Sequence, residues 1–168
     1  MLFRSKDEKI AIYDLGGGTF DISILELSDG VIEVLATAGD TFLGGEDFDR
    51  RIVEHLIAWF HEQEGIDLRG DAMAMQRLKD AAEKAKCDLS SRESVEINLP
   101  FIASGDDGPR HLSYPMTREQ LEQLVHDIVN GTLKTVEQCM LDANVRGQDI
   151  DQVILVGEIG RASCRERV

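Results

Sequence analysis

Two carboxylates bracket three consecutive glycines and a threonine in "DLGGGTFD", residues 14–21. The residue types suggest one kind of chemistry. Gly16, Gly17 and Gly18 carry no side chain, so a ligand can reach the backbone, and successive bare N–H groups make an anion-binding nest. Thr19 adds a hydroxyl donor. Asp14 and Asp21 are hard oxygen ligands suited to a hydrated divalent cation. Together they read as a site for a metal-bridged phosphate. This is not a Walker loop, because no Gly-Lys-Ser/Thr follows and the second flank reads as strand rather than helix. A plain hairpin turn is the competing reading. One glycine with positive φ would serve it without any ligand, whereas three in a row cost more backbone entropy than a turn requires.

The flanking residues say what must hold this loop in place. Residues 9–14 and 20–27 read as the two strands of a hairpin, and residues 31–38 as a third strand after the turn signal at Asp29-Gly30. After "GDTFLGG" comes a helix with Phe48, Ile52, Leu56 and Trp59 on one face, ended by Gly65. Trp59 and Phe60 read as core anchors. A second helix is expected over residues 72–89, rich in Ala, Met, Lys and Glu. Two short strands follow, 95–102 and 111–116, separated by the loop "SGDDGP". Thr117 and Gln120 form a capping box opening a long helix with Leu121, Leu124, Val125, Ile128 and Val136 on one side. Gly131 inside it marks an expected tight packing point. "VILVG", residues 153–157, reads as a fully buried strand returning to the first sheet. The expected class is α/β, with three strands, an inserted α+β subdomain, then helix and strand.

Bulk properties narrow the function further. The chain has 168 residues, a net charge of −14 and 42% hydrophobic content. An acidic surface repels polyanions, so nucleic acid and anionic membrane are not expected partners. No apolar run approaches the roughly 20 residues that span a bilayer. Cys87, Cys139 and Cys164 are odd in number and lack metal-ligand spacing, which argues against a disulfide framework or a zinc site. The head lacks a secretory hydrophobic region, so a cytoplasmic (bacterial) setting is expected. Residues 1–5 and 158–168 resemble the translated ends of a sequencing adapter and are expected to be non-native. That leaves residues 6–157 as a piece of a longer protein.

"YDLGGGTFDISILEL" resembles the second phosphate-binding hairpin of the DnaK-type, seventy-kilodalton heat-shock chaperones. "GDTFLGGEDFDRRIVEHL", "AMQRLKDAAEKAKCDLSS" and "DIDQVILVG" are similar to the same family, in the same order. The resemblance implies an actin-like, ribonuclease H-like ATPase lobe. Its inner α/β subdomain would be residues 6–43 and 117–157, and its outer subdomain residues 44–116. It implies ATP hydrolysis with ATP/ADP, Mg2+ and, in the parent, K+ as cofactors. A GrpE-type exchange factor, a J-domain co-chaperone and unfolded client peptides would be partners.

Residue by residue, the resemblance makes Gly16, Gly17, Gly18 and Thr19 phosphate contacts. Asp14 would orient the attacking water or the hydrated magnesium, and Asp21 would serve a cation site, so Asp14, Thr19 and Asp21 would be the catalytic set. Gly44 and Gly45 would let the nucleoside approach, and Gly157 would open the adenosine loop. Glu83, Lys86 and Ser90 would contact ribose and adenine. Their spacing of three and four puts them on one helix face, although Glu/Lys-rich helices are also ordinary solvated charge patterns. Cys87 shares that face. The opposing phosphate hairpin and its lysine would precede residue 6, so the chain alone is expected not to hydrolyse ATP. A sugar or acyl kinase of the same superfamily, or a nucleotide-dependent assembly protein, are the alternatives, and "GGEDFD" and "EKAKCDLSS" fit them less well.

Overall fold

The computed structural model describes residues 7–157. The two adapter-like ends and Cys164 therefore lie outside the described residues. In chain order the elements are β1 (Glu8–Leu15), β2 (Phe20–Ser28), β3 (Val31–Asp40), α1 (Gly45–Glu64), α2 (Ala72–Leu89), β4 (Ser94–Gly105), β5 (Gly108–Thr117), α3 (Arg118–Asp142) and β6 (Gln152–Gly157). The described residues fall into two compact units, 7–45 with 127–157, and Glu46–His126.

The first unit is a four-stranded sheet in the order β3-β2-β1-β6. β1, β2 and β3 pair antiparallel, and β6 runs parallel to β1. Side chains alternate between faces along a strand. One face carries the buried Ala11, Leu15, Phe20, Ile22 and Ile24. α3 closes this face: Tyr13 Oη lies 2.8 Å from Thr132 Oγ1, and the buried Cys139 thiol donates to the Ile22 carbonyl at 3.6 Å.

Two expectations for this unit are corrected. β6 is not fully buried, since Val153 and Ile154 are 55% and 40% exposed. An apolar run is buried when both faces and both flanks are covered, and β6 is the edge of its sheet with β1 on one side alone. Gly131 is not a tight packing point either, because an added Cβ would meet nothing within 4 Å. The buried residue is its neighbour Thr132, whose hydroxyl donates to the Val129 carbonyl and faces Tyr13.

The second unit packs α1 and α2 against the β4–β5 hairpin, with Ile52, Leu56, Phe60, Leu78, Leu89, Leu112 and Met116 in its core. Trp59 is half-buried against that core, edge-on to Tyr114. Asp71 caps α2, its carboxylate accepting from the Met73 and Ala74 N–H groups. The hairpin is longer than expected. The strands reach Gly105 and restart at Gly108, so most of "SGDDGP" is ladder and only Asp106-Asp107 turn. Gly108, at φ +126°, admits the tight turn.

The capping box forms as read: Gln120 Oε1 accepts from Thr117 N–H at 2.9 Å, and Thr117 Oγ1 from Gln120 N–H at 3.2 Å. The same amide donates through Nε2 to Tyr114 Oη at 3.2 Å. That leaves the phenol proton for His55 Nε2, 2.6 Å away. Burial holds the His55 imidazole below its ordinary pKa.

Candidate functional site

The glycine loop joins β1 and β2. Leu15 pairs with Phe20, and the Gly16 N–H donates to the Thr19 carbonyl at 2.8 Å, so Gly17 and Gly18 make the tip. None of the three glycines lies in the left-handed region. A Cβ at Gly18 would meet nothing within 4 Å, and one at Gly16 would touch the Thr19 carbonyl at an ordinary 3.4 Å. The turn reading, in which glycine supplies a positive φ, therefore finds no such residue in this loop. Gly18 and Thr19 are exposed.

Asp14 and Asp21 are direct cross-strand partners. They share the sheet face opposite Tyr13 and Ile22, since neighbours alternate. Each carboxylate has a glycine beside it. Gly39 pairs with Asp21, and a Cβ there would sit 2.5 Å from Asp21 Oδ1. Gly157 pairs with Leu15, and its Cβ would sit 2.7 Å from Asp14 Oδ1 and against the Leu15 carbonyl. Gly157 has φ +102°. Its bareness serves β1 and Asp14 directly. The role of Gly39 was not visible in the sequence, because it depends on the register between β2 and β3.

Gly44 and Gly45 are buried and clasp the loop. Gly45 N–H donates to the Gly16 carbonyl at 2.9 Å. A Cβ on Gly44 would lie 2.5 Å from both the Gly17 carbonyl oxygen and the Gly18 nitrogen. The hairpin backbone by itself leaves no room for a side chain at Gly44.

In the second unit, Glu83, Lys86 and Ser90 follow α2 down to its C-terminus. They are not one solvated charge stripe. Glu83 is exposed, but Lys86 is buried and its Nζ lies 2.8 Å from Asp49 Oδ2 of α1. Ser90 is the C-cap, its hydroxyl donating to the Cys87 carbonyl at 2.5 Å. Arg118 holds the carbonyls of Leu89, Ser90 and Arg92 at 2.9, 3.4 and 3.0 Å. Cys87 is exposed. Asp49 and Arg118 were both missed. Each lies in a segment the sequence had singled out, "GGEDFD" and the capping box, but their partners are 37 and 26–29 positions away.

Among the described residues no three His, Cys, Asp or Glu side chains gather as a metal cage. Asp14 and Asp21 instead offer two adjacent carboxylates, which suits an ion that keeps its waters and shares phosphate oxygens. A glycine-tipped hairpin with paired carboxylates on a mixed sheet defines the class, an actin-like ATPase lobe. Residues 2–164 match the family described as Hsp70 protein, and the chain belongs to that family. Its fold is that of part of an Hsp70 nucleotide-binding domain. Members of the family are generally ATPases that bind ATP or ADP with Mg2+ and work with exchange factors, J-domain proteins and clients.

Proposed function

We propose that this chain supplies the phosphate hairpin and the ribose- and adenine-contacting helix of a DnaK-type, ATP-driven chaperone. The observation that carries the reading is Gly18, which has ordinary φ, open space in front of it and no fold-based need to be glycine. Its N–H and that of Gly17 donate to phosphate oxygens, and the Thr19 hydroxyl adds a third donor. Asp21, cleared by Gly39, serves a cation. Asp14, cleared by Gly157, orients the attacking water or the hydrated magnesium. Mg-ATP when bound supplies the transferable phosphoryl group and neutralises its charge. The protein's share is positioning and electrostatic stabilisation, which is most of what phosphoryl transfer requires. Glu83, Lys86 and Ser90 contact ribose and adenine. A GrpE-type exchange factor acts on the outer subdomain, while J-domain co-chaperones and unfolded peptides engage the parent. Residues 1–5 and 158–168 are adapter-derived on this reading, and the parent gene sequence across Gly157 tests that.

Thr19→Ala in a full-length chaperone carrying this segment is expected to slow single-turnover ATP hydrolysis about 10²-fold, the size of losing one aligned donor. Unchanged turnover in a folded variant removes Thr19 from catalysis. In the chain itself, millimolar Mg-ADP is expected to shift the amide resonances of Gly17, Gly18 and Thr19 first. Shifts confined to other residues would refute the hairpin assignment.

A further inference from the structure

Phe101, in the second unit, is a bulky residue held at φ +54° and 68% exposed. Left-handed backbone is uncommon for any residue with a Cβ and a true outlier for a large one. It occurs where the β4–β5 register slips between Leu99 and Ala103. Residues 100–102 therefore bulge out of the ladder, and side chains take over the bonds of Phe101. Its N–H donates to His111 Nδ1 at 2.9 Å. Its carbonyl and that of Pro100 accept from the Arg77 guanidinium of α2 at 3.1 and 2.7 Å. The His111 imidazole also stands edge-on to the phenyl ring, centroids 4.7 Å apart. The apolar ring is thus displayed at the surface by contacts from two other elements.

One of these contacts depends on charge. A backbone N–H only donates, so Nδ1 of His111 must be bare and the ring proton must sit on Nε2. Protonating Nδ1 turns the acceptor into a second donor facing the first. Imidazole is the side chain that ordinarily changes charge between about pH 5 and 8. On the hairpin face that His111 shares with Ser113, the Glu96 carboxylate of β4 accepts from Ser113 Oγ at 2.8 Å. The Arg77 guanidinium of α2 sits on the Phe101 carbonyl, and Arg110, next along β5, points to the opposite face. Arg110 is engaged by Glu64 of α1 at 3.3 Å and Asp107 of the turn at 3.7 Å.

We propose that the bulge is an acid-released latch: neutral His111 holds Phe101 in its left-handed, ring-out conformation, and protonation of Nδ1 loosens it. At neutral pH the ring is a fixed apolar knob. In acid the Phe101 N–H loses its acceptor, and the knob is loosened on that side while Arg77 keeps the Pro100 and Phe101 carbonyls.

The test is a pH titration of the 15N-labelled chain by NMR. At neutral pH, His111 should show an unprotonated Nδ1 and a protonated Nε2, and the Phe101 amide should be protected from exchange. Toward about pH 5, the Phe101 amide shift and its HN–Hα coupling should follow the His111 ring titration. Protection should fall about tenfold, as the loss of one hydrogen bond implies. His111→Ala should leave the Phe101 amide unprotected at every pH. A Phe101 amide indifferent to His111 protonation, a proton on Nδ1 at neutral pH, or a His111 that stays neutral to that limit would each overturn the latch. If His111→Ala does not fold, the titration of the unaltered chain decides.

Discussion

Gly18 and Gly44 lie against each other, yet an alanine at each position would meet opposite surroundings. At Gly44 the new Cβ lands 2.5 Å from the Gly17 carbonyl oxygen and the Gly18 nitrogen. Both are backbone atoms that cannot swing away, so the clasp or the hairpin must shift. Overpacking of this kind costs roughly 1–3 kcal/mol. At Gly18 the Cβ meets nothing and the φ suits an L-residue. Gly→Ala at such a site stabilises by about 0.4–1 kcal/mol, by narrowing the unfolded ensemble. The two variants should therefore separate by about 1.4–4 kcal/mol, tenfold or more in the folding equilibrium constant. Urea unfolding followed by circular dichroism measures this, and amide shifts during an Mg-ADP titration report the ligand side. Gly18→Ala should unfold at higher urea than the unaltered chain and respond less to nucleotide. A Gly18→Ala variant as destabilised as Gly44→Ala would show that the fold itself requires glycine at the tip, and the phosphate reading would lose its support.

Asp49→Asn removes the negative charge 2.8 Å from the buried Lys86 ammonium and should cost toward the lower end of about 3–5 kcal/mol. Replacing the pair together by Lys86→Met and Asp49→Leu should cost less, and equal urea midpoints for the two would contradict this. Gln120→Glu keeps the acceptor for Thr117 N–H but removes the donor to Tyr114 Oη. A loss of about 0.5–1.5 kcal/mol is expected, against no change if the cap were its whole role. For His55, the lowered folded-state pKa means the unfolded chain takes up the proton first. Stability from this group is complete above the unfolded value of about 6.5 and is lost as pH falls through the folded value. The urea midpoint should drop between about pH 7 and pH 5, and His55→Gln should flatten part of that slope. A slope unaltered by the substitution would clear His55.

What could be read in advance was local. α2 occupies residues 72–89 as composition implied, and the Thr117–Gln120 box needs only residues within one turn. The hairpin that carries the glycines was legible from alternation and the turn signal. The rest depends on partners far along the chain. Lys86 stood as an implied ribose or adenine contact, with a solvated charge pattern as the alternative, and nothing near it in sequence pointed to its ion pair with Asp49 of α1. Gly39 had no role until strand register set it beside Asp21. "VILV" carried the pattern of a buried strand, but sheet order, which a single strand does not encode, put it at an edge. The bulge at Phe101 is also a register event, with Pro100 beside it as the sole local hint.

The glycine beside each carboxylate has a consequence for inheritance. Gly39 is constrained by the carboxylate of Asp21, and Gly157 by the carboxylate of Asp14 and the backbone of Leu15. Replacing Asp21 with a shorter residue would remove one clash at position 39, but the Phe20 backbone carbonyl, 2.6 Å from the same Cβ, would still oppose any side chain there. Gly157 would stay fixed even without Asp14, because its left-handed φ and the Leu15 carbonyl forbid a side chain independently. In an alignment of relatives, positions 39 and 157 should therefore both stay glycine even where positions 21 and 14 have changed.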